Sequence, residues 1–155
     1  MISPELVRRY SFFGMLDETQ TRAVAMICDE VPFEKDVELF KEGDPARFIY
    51  FLISGNVDLY FTTREESRPD MVREYYVGTI DPEEIFGISA LIEPFKLTAT
   101  ARTNQPSRII QIDGQALRSL FEMDCSLGFK FMRQVARVAV ERLNATRVQL
   151  AACWQ

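Results

Sequence analysis

The chain has 155 residues, 47% of them apolar, and carries 18 basic against 23 acidic side chains for a net charge of −5. That much apolar sequence fits one globular domain with a sizeable core and excludes a disordered chain. The acidic balance argues against a broad nucleic-acid or membrane-surface patch. The chain has no histidine, which disfavours most enzymes, most metal sites and a histidine-ligated haem sensor. We therefore expect no catalytic residue, no metal and no cofactor.

The cysteines and the N-terminus indicate the compartment. Cys28, Cys125 and Cys153 lie far apart and form no Cys-x-x-Cys pair, so we expect free thiols in a reducing compartment. The chain opens with Ser3-Pro4-Glu5 and not with a basic and then apolar segment. It also lacks the run of about 18 apolar residues that a membrane helix needs. The sequence therefore predicts a cytoplasmic protein without a membrane segment.

Residues 1–30 carry two signals for the start of a helix. Ser3 can cap a helix that has Pro4 in its first turn. Asp17 and Gln20 have the spacing of a capping box, in which each side chain accepts a hydrogen bond from the other's backbone amide. We therefore expect N-terminal helices over this stretch.

Residues 31–112 contain short β-rich runs separated by turn residues, which predicts an antiparallel, jelly-roll-like β-roll. Residues 57–61 alternate apolar and polar side chains, as a half-buried strand does. Residues 63–70 are charged and include Pro69, so we predict an exposed hairpin loop there. Residues 72–77 are expected to form the returning strand.

Residues 113–152 are predicted to be helical. Asp113 precedes a helix to about Glu122, and Asp124 caps a long helix to about Ala151. One apolar stripe of the long helix is assigned to the roll: Leu127, Phe131, Val135 and Val138. The whole chain, 1–155, is thus interpreted as a single domain.

A second apolar stripe on the long helix has the spacing of a coiled-coil seam. Its members follow steps of 4, 3, 4, 3 and 4 residues. They are Met132, Ala136, Ala139, Leu143, Thr146 and Leu150. Small residues near its middle would let two helices approach closely, which favours a homodimer. A single broad buried face in a monomer is the alternative.

Four segments together carry a family resemblance. Residues 85–91 read Ile-Phe-Gly-Ile-Ser-Ala-Leu, and residues 98–100 read Thr-Ala-Thr. Upstream, the segments 39–44 and 49–60 each hold a glycine where a turn needs positive φ. In this order they resemble the cyclic-nucleotide-binding domain, the β-roll sensor of bacterial catabolite-activator-type regulators and of cyclic-nucleotide-dependent kinases. The resemblance spans nearly the whole chain.

The sequence departs from this family at two positions. The family turn usually reads Phe-Gly-Glu, where the Glu binds the ribose 2′-hydroxyl, and an Arg just before the small-Ala-Thr strand pairs with the cyclic phosphate. Here these positions hold Ile88 and Leu97, which offer neither an acceptor nor a charge. The resemblance therefore implies a cyclic-nucleotide domain whose ligand site is degenerate.

The candidate site is this degenerate phosphate-binding cassette, together with the backbone amides of residues 87–90. Its residues are Phe86, Gly87, Ile88, Ser89, Ala90, Leu97, Thr98 and Ala99. Lys96 is a candidate cation for a phosphate, and Arg102 is expected to point away from the pocket by strand alternation. Nearby carboxylates are interpreted as a solvated acidic edge that would repel phosphate: Asp81, Glu83, Glu84 and Glu93.

Three functions remain open from the sequence. The first is a non-catalytic sensor or regulatory module that does not bind a cyclic nucleotide in the usual mode. The second is weak or altered binding of cyclic AMP or cyclic GMP through backbone amides and Lys96, and the third is a protein-interaction module without a small ligand. Direct DNA binding is not expected, because a winged DNA-binding part needs roughly 70 further residues.

Overall fold

The N-terminal helices begin at the predicted caps. A computed structural model of the protein describes residues 1–154. Helix α1 spans Pro4–Arg8, and the Ser3 side chain accepts a hydrogen bond from the amide of Glu5. Helix α2 spans Glu18–Met26, and both halves of the Asp17–Gln20 capping box are formed. Local sequence therefore sets where these helices begin.

The middle of the chain forms two four-stranded antiparallel sheets, which confirms the predicted β-roll. The first sheet has the order β1-β8-β3-β6 and the second β2-β7-β4-β5. The strands are β1 Cys28–Phe33, β2 Glu38–Phe40, β3 Phe48–Ser54, β4 Val57–Glu65, β5 Arg68–Ile80, β6 Ile85–Phe86, β7 Thr100–Thr103 and β8 Ser107–Asp113.

The predicted exposed hairpin at residues 63–70 is present, but the predicted extent of its loop is wrong. Strand β4 continues to Glu65, β5 begins at Arg68, and these two residues pair across a tight turn. Strand β5 is the edge of its sheet, where Pro69 can be accommodated because an edge strand has one unpaired side. The charged side chains of this hairpin are exposed to solvent along both strands.

Strand β3 separates two apolar clusters by simple alternation. Ile49 and Phe51 face the helices, whereas Tyr50 and Leu52 face the second sheet. On the helix side, the Phe51 ring lies 4.9 Å from that of Tyr10, centroid to centroid. Because successive side chains of a strand point to opposite faces, one strand contributes to both halves of the core.

Two helices close the fold at its C-terminal end. Helix α3 spans Gly114–Met123 and α4 spans Cys125–Cys153. Asp113 and Asp124 cap them by accepting backbone amide hydrogen bonds of 2.8 and 3.1 Å. The stripe assigned to the roll is packed there, with Val138 partly buried and the other three fully buried: Leu127, Phe131 and Val135.

The second stripe of α4 is largely exposed. Met132 packs partly against the core, but Leu143 is 49% exposed and Leu150 58% exposed. Ala136 and Ala139 are exposed as well. The fold of one chain therefore leaves most of this seam without a packing partner.

The three cysteines are free thiols, as expected. Cys28 is buried, and its burial raises the pKa of the thiol to about 12. Cys125 and Cys153 are exposed. Across residues 1–154, none of the helices combines the length and apolarity required to cross a bilayer.

Candidate ligand-binding site

The site is built around the glycine turn after β6. Gly87 has φ +70°, and a 3-10 turn over Ile88–Leu91 follows it. A Cβ atom at Gly87 would lie 2.7 Å from Cδ2 of Tyr50 and 3.1 Å from the carbonyl oxygen of Phe48. Only glycine fits here, because the backbone is left-handed and passes directly over a ring.

The second wall is the segment before β7. Leu97 exchanges backbone hydrogen bonds with the loop after β2: its oxygen accepts from Gly43 at 2.8 Å, and its amide donates to Asp44 at 2.9 Å. These bonds hold the Leu97 side chain inward, where it is 6% exposed. The neighbouring Lys96 is exposed.

These walls enclose a small cavity of about 60 Å³. Among the predicted residues, those that line it are Phe86, Gly87, Ile88, Ser89, Leu97, Thr98 and Ala99. Ala90 does not line it; this residue is fully buried, and its amide donates to the carbonyl oxygen of Gly87. Lys96 is not among the lining residues either. The structure thus brings most of the predicted cassette together without the predicted cation.

Three further residues line the cavity: Phe40, Leu59 and Arg142. Leu59 could have been identified from the alternation of residues 57–61. Arg142 lies four residues beyond Val138, so one further step along the roll-facing stripe of α4 reaches it. The sequence interpretation ended that stripe at its last apolar member.

Arg142 is the charged side chain of the cavity. It is half-buried, and its guanidinium Nη2 donates a hydrogen bond to the carbonyl oxygen of Ile85. Burial lowers the pKa of Arg142, and this effect is partly opposed by the charges of Glu84 and Glu141. Within the described part of the chain, no carboxylate oxygen lies within 4.0 Å of the guanidinium.

A larger groove adjoins the cavity. It has a volume of about 410 Å³ and runs between the end of β5, at Tyr76–Ile80, and the last third of α4. Leu59 and Arg142 line both spaces. The guanidinium therefore lies where the small cavity and the groove meet.

Two of the remaining charged candidates, Arg102 and Glu84, form hydrogen bonds with other residues. Arg102 binds both carboxylate oxygens of Glu74, at 2.6 and 2.8 Å, and its guanidinium carbon lies 4.8 Å from the ring centroid of Tyr60. Among the acidic residues, Glu84 accepts a hydrogen bond from the amide of Asp81. No cluster of three metal-ligating side chains occurs in residues 1–154.

Comparison with known proteins finds a matching family model and similar solved structures. The family model of the cyclic nucleotide-binding domain matches residues 30–124. A candidate cyclic nucleotide-binding protein of Geobacter metallireducens has a solved structure with 34% identity and a TM-score of 0.80, and the match covers 92% of this chain and 99% of that one.

Curated relatives include regulators of two kinds. The chain is 27% identical over 147 residues to a CRP-like cAMP-activated global transcriptional regulator of Mycobacterium tuberculosis, covering 95% of this chain and 61% of the relative. It is 22% identical over 116 residues to a cAMP-dependent protein kinase regulatory subunit of Dictyostelium discoideum, covering 75% of this chain and 35% of the relative. The chain thus spans about 61% of the length of the first of these.

Proposed function

The chain belongs to the cyclic nucleotide-binding domain family, and from that premise we propose that it is a non-catalytic regulatory module that does not bind cyclic nucleotide in the usual mode. The observation that carries the proposal is the pair Ile88 and Leu97, which line the cavity at the two positions where the resemblance implies the family's ribose and phosphate contacts. The relatives named above are themselves regulators, which supports a regulatory role.

The chemistry of the cavity supports this proposal. A charge-assisted hydrogen bond contributes about 1.5–3 kcal/mol, and a buried polar group left unpaired costs about 1–3 kcal/mol. Leu97 cannot form a charge-assisted hydrogen bond with the phosphate. Ile88 cannot accept a hydrogen bond, so a ribose hydroxyl buried beside it would be left unpaired.

Calorimetry with cyclic AMP and cyclic GMP tests the proposal directly. We expect no saturable heat when either nucleotide is titrated into the purified chain up to millimolar concentration. The physical reason is that the phosphate has no cation at Leu97 and the ribose has no acceptor at Ile88. Tight uptake with one nucleotide per chain would overturn the proposal. Weak uptake abolished by Lys96→Ala would instead support the alternative in which this lysine serves the phosphate.

Two hydrogen bonds provide a route from the cavity to the C-terminal helices. Arg142 on α4 donates to the carbonyl oxygen of Ile85, just before the glycine turn. Arg118 on α3 donates to the carbonyl oxygen of Ala90, within the turn that follows. A movement of this turn therefore changes the contacts that hold both helices, which is how a regulatory module can shift between two populations.

The exposed seam of α4 supports a homodimer as the regulatory unit. Leu143 and Leu150 are about half exposed, and small residues lie at Ala136 and Ala139. Seven-residue periodicity on one face is what two supercoiled helices bury against each other. The free thiols are compatible with a cytoplasmic setting. We propose no DNA contact for the described residues, because the chain is acidic.

Leu143→Glu is expected to convert the dimer into a monomer. Two carboxylates would then face each other across the seam, where burial of like charges is strongly unfavourable. Size-exclusion chromatography with light scattering should show a mass halved relative to the wild type. The matched control is Asn144→Glu, which adds the same charge at an exposed neighbouring position outside the seam. A wild-type chain that is monomeric at high concentration would contradict the proposed dimer.

A further inference from the structure

Arg142 presents an unusual combination of charge and surroundings. It is the charged member of a cavity otherwise lined by apolar, small and hydroxyl side chains, among the residues that the structure describes. Its recorded hydrogen bond goes to a neutral carbonyl, that of Ile85. A guanidinium has five N–H donors in a fixed planar arrangement. The bond to Ile85 uses one of them, which leaves donors for a ligand. A half-buried cation with neutral partners is stabilised when an anion reaches it.

The space beside Arg142 is large enough for an organic ligand. The adjoining groove of about 410 Å³ lies within the usual range of small-molecule sites, roughly 300–1,000 Å³. Its walls include Val77, Ile80 and Ala145, and Arg142 lies at its junction with the cavity. An anionic head at the guanidinium can therefore be joined to an apolar body that lies along the groove.

The charges around the groove select the kind of anion. Glu84 and Glu141 also line it, and their negative charges oppose a dianionic phosphate more strongly than a monoanion. A carboxylate carries a single charge and matches the guanidinium geometry with two parallel hydrogen bonds. The surroundings thus favour a monocarboxylate over a dianionic phosphate monoester.

We propose that Arg142 is the recognition residue of a site for apolar monocarboxylic acids, whose carboxylate binds the guanidinium and whose hydrocarbon body lies between β5 and α4. This inference rests on the proposed function, because a cyclic nucleotide would compete for the same space. Binding draws the guanidinium away from the carbonyl oxygen of Ile85. It thereby changes one of the two contacts between the C-terminal helices and the glycine turn.

Isothermal titration with octanoate, with octanol as the uncharged probe of equal chain length, tests the inference. We expect saturable octanoate binding to the wild type and at least a tenfold loss of affinity in Arg142→Met. The matched control is Arg137→Met, an exposed arginine of the same helix that lines neither the cavity nor the groove. It should bind octanoate as the wild type does. Octanol should not distinguish the wild type from Arg142→Met.

A second variant separates recognition from folding. Arg142→Gln keeps an amide donor for the carbonyl oxygen of Ile85 but has no charge, so it should fold and still lose octanoate binding. Absence of saturable octanoate binding to the wild type would overturn the inference, as would equal octanoate affinity in Arg142→Gln and the wild type. A parallel titration with cyclic AMP keeps the two ideas distinct. Tight uptake of the nucleotide counts against the proposed function, whereas failure of octanoate alone counts only against the role of Arg142.

Discussion

Cyclic AMP binding is expected to appear when Ile88→Glu and Leu97→Arg are combined in one chain. Both positions line the cavity under the glycine turn, and under the proposed assignment the substitutions introduce the acceptor and the cation that the family resemblance implies there. Two charge-assisted contacts of about 1.5–3 kcal/mol each correspond to a gain in affinity of roughly 10²–10⁴-fold. Calorimetry should therefore change from no saturable heat in the wild type to a measurable binding isotherm in the double variant.

The same double variant should be less stable than the wild type when no nucleotide is present. Leu97 is 6% exposed, so the introduced guanidinium is poorly hydrated and lies near a second cation, that of Arg142. Cyclic AMP should then raise the melting temperature, because it binds only the folded state.

The matched control for this prediction is the pair Ile88→Gln and Leu97→Met, which keeps similar side-chain sizes without adding charge. It should show no isotherm. A double charged variant that folds and still shows no binding would contradict the assignment of positions 88 and 97 to the ribose and phosphate contacts.

Phe131→Ala is expected to lower the free energy of unfolding by about 3–5 kcal/mol, the usual cost of removing a large buried aromatic side chain. Phe131 is fully buried in the core between α4 and the roll. Its ring centroid lies 5.8 Å from that of Phe12 and 5.5 Å from that of Phe121. The substitution therefore leaves a cavity where three elements meet, and chemical denaturation followed by circular dichroism measures the loss.

The chain provides a close control two residues away on the same helix. Phe129 is 68% exposed, so Phe129→Ala removes an equal side chain with an expected change within about 0.5 kcal/mol. Equal losses in the two variants would show that α4 does not pack on the roll through the face described here.

Local sequence was sufficient to predict the helix starts and the β-roll. The capping residues Ser3, Asp17, Asp113 and Asp124 each accept the expected amide hydrogen bond. These contacts span only two or three residues, so the neighbouring sequence alone determines them. The glycine turn could also be predicted from the sequence, because the left-handed backbone at Gly87 strongly favours glycine.

The position of a strand at the edge of its sheet could not be predicted from local sequence. Within the predicted loop, residues 63–65 and 68–70 are strand on either side of a two-residue turn, and Pro69 lies on an edge strand and not within a sheet interior. Its composition resembles that of a loop, and only the strand order shows why a proline is accommodated there.

The sequence by itself determined the caps, the strand alternation, the glycine turn and the absence of polar side chains at Ile88 and Leu97. Only the tertiary structure decided which cation reaches the cavity: Lys96, directly before Leu97, is exposed, whereas Arg142 reaches the cavity from α4. Contacts between residues close in the chain follow from local geometry. A contact between a helix and a turn 57 residues apart depends on how α4 packs against the roll.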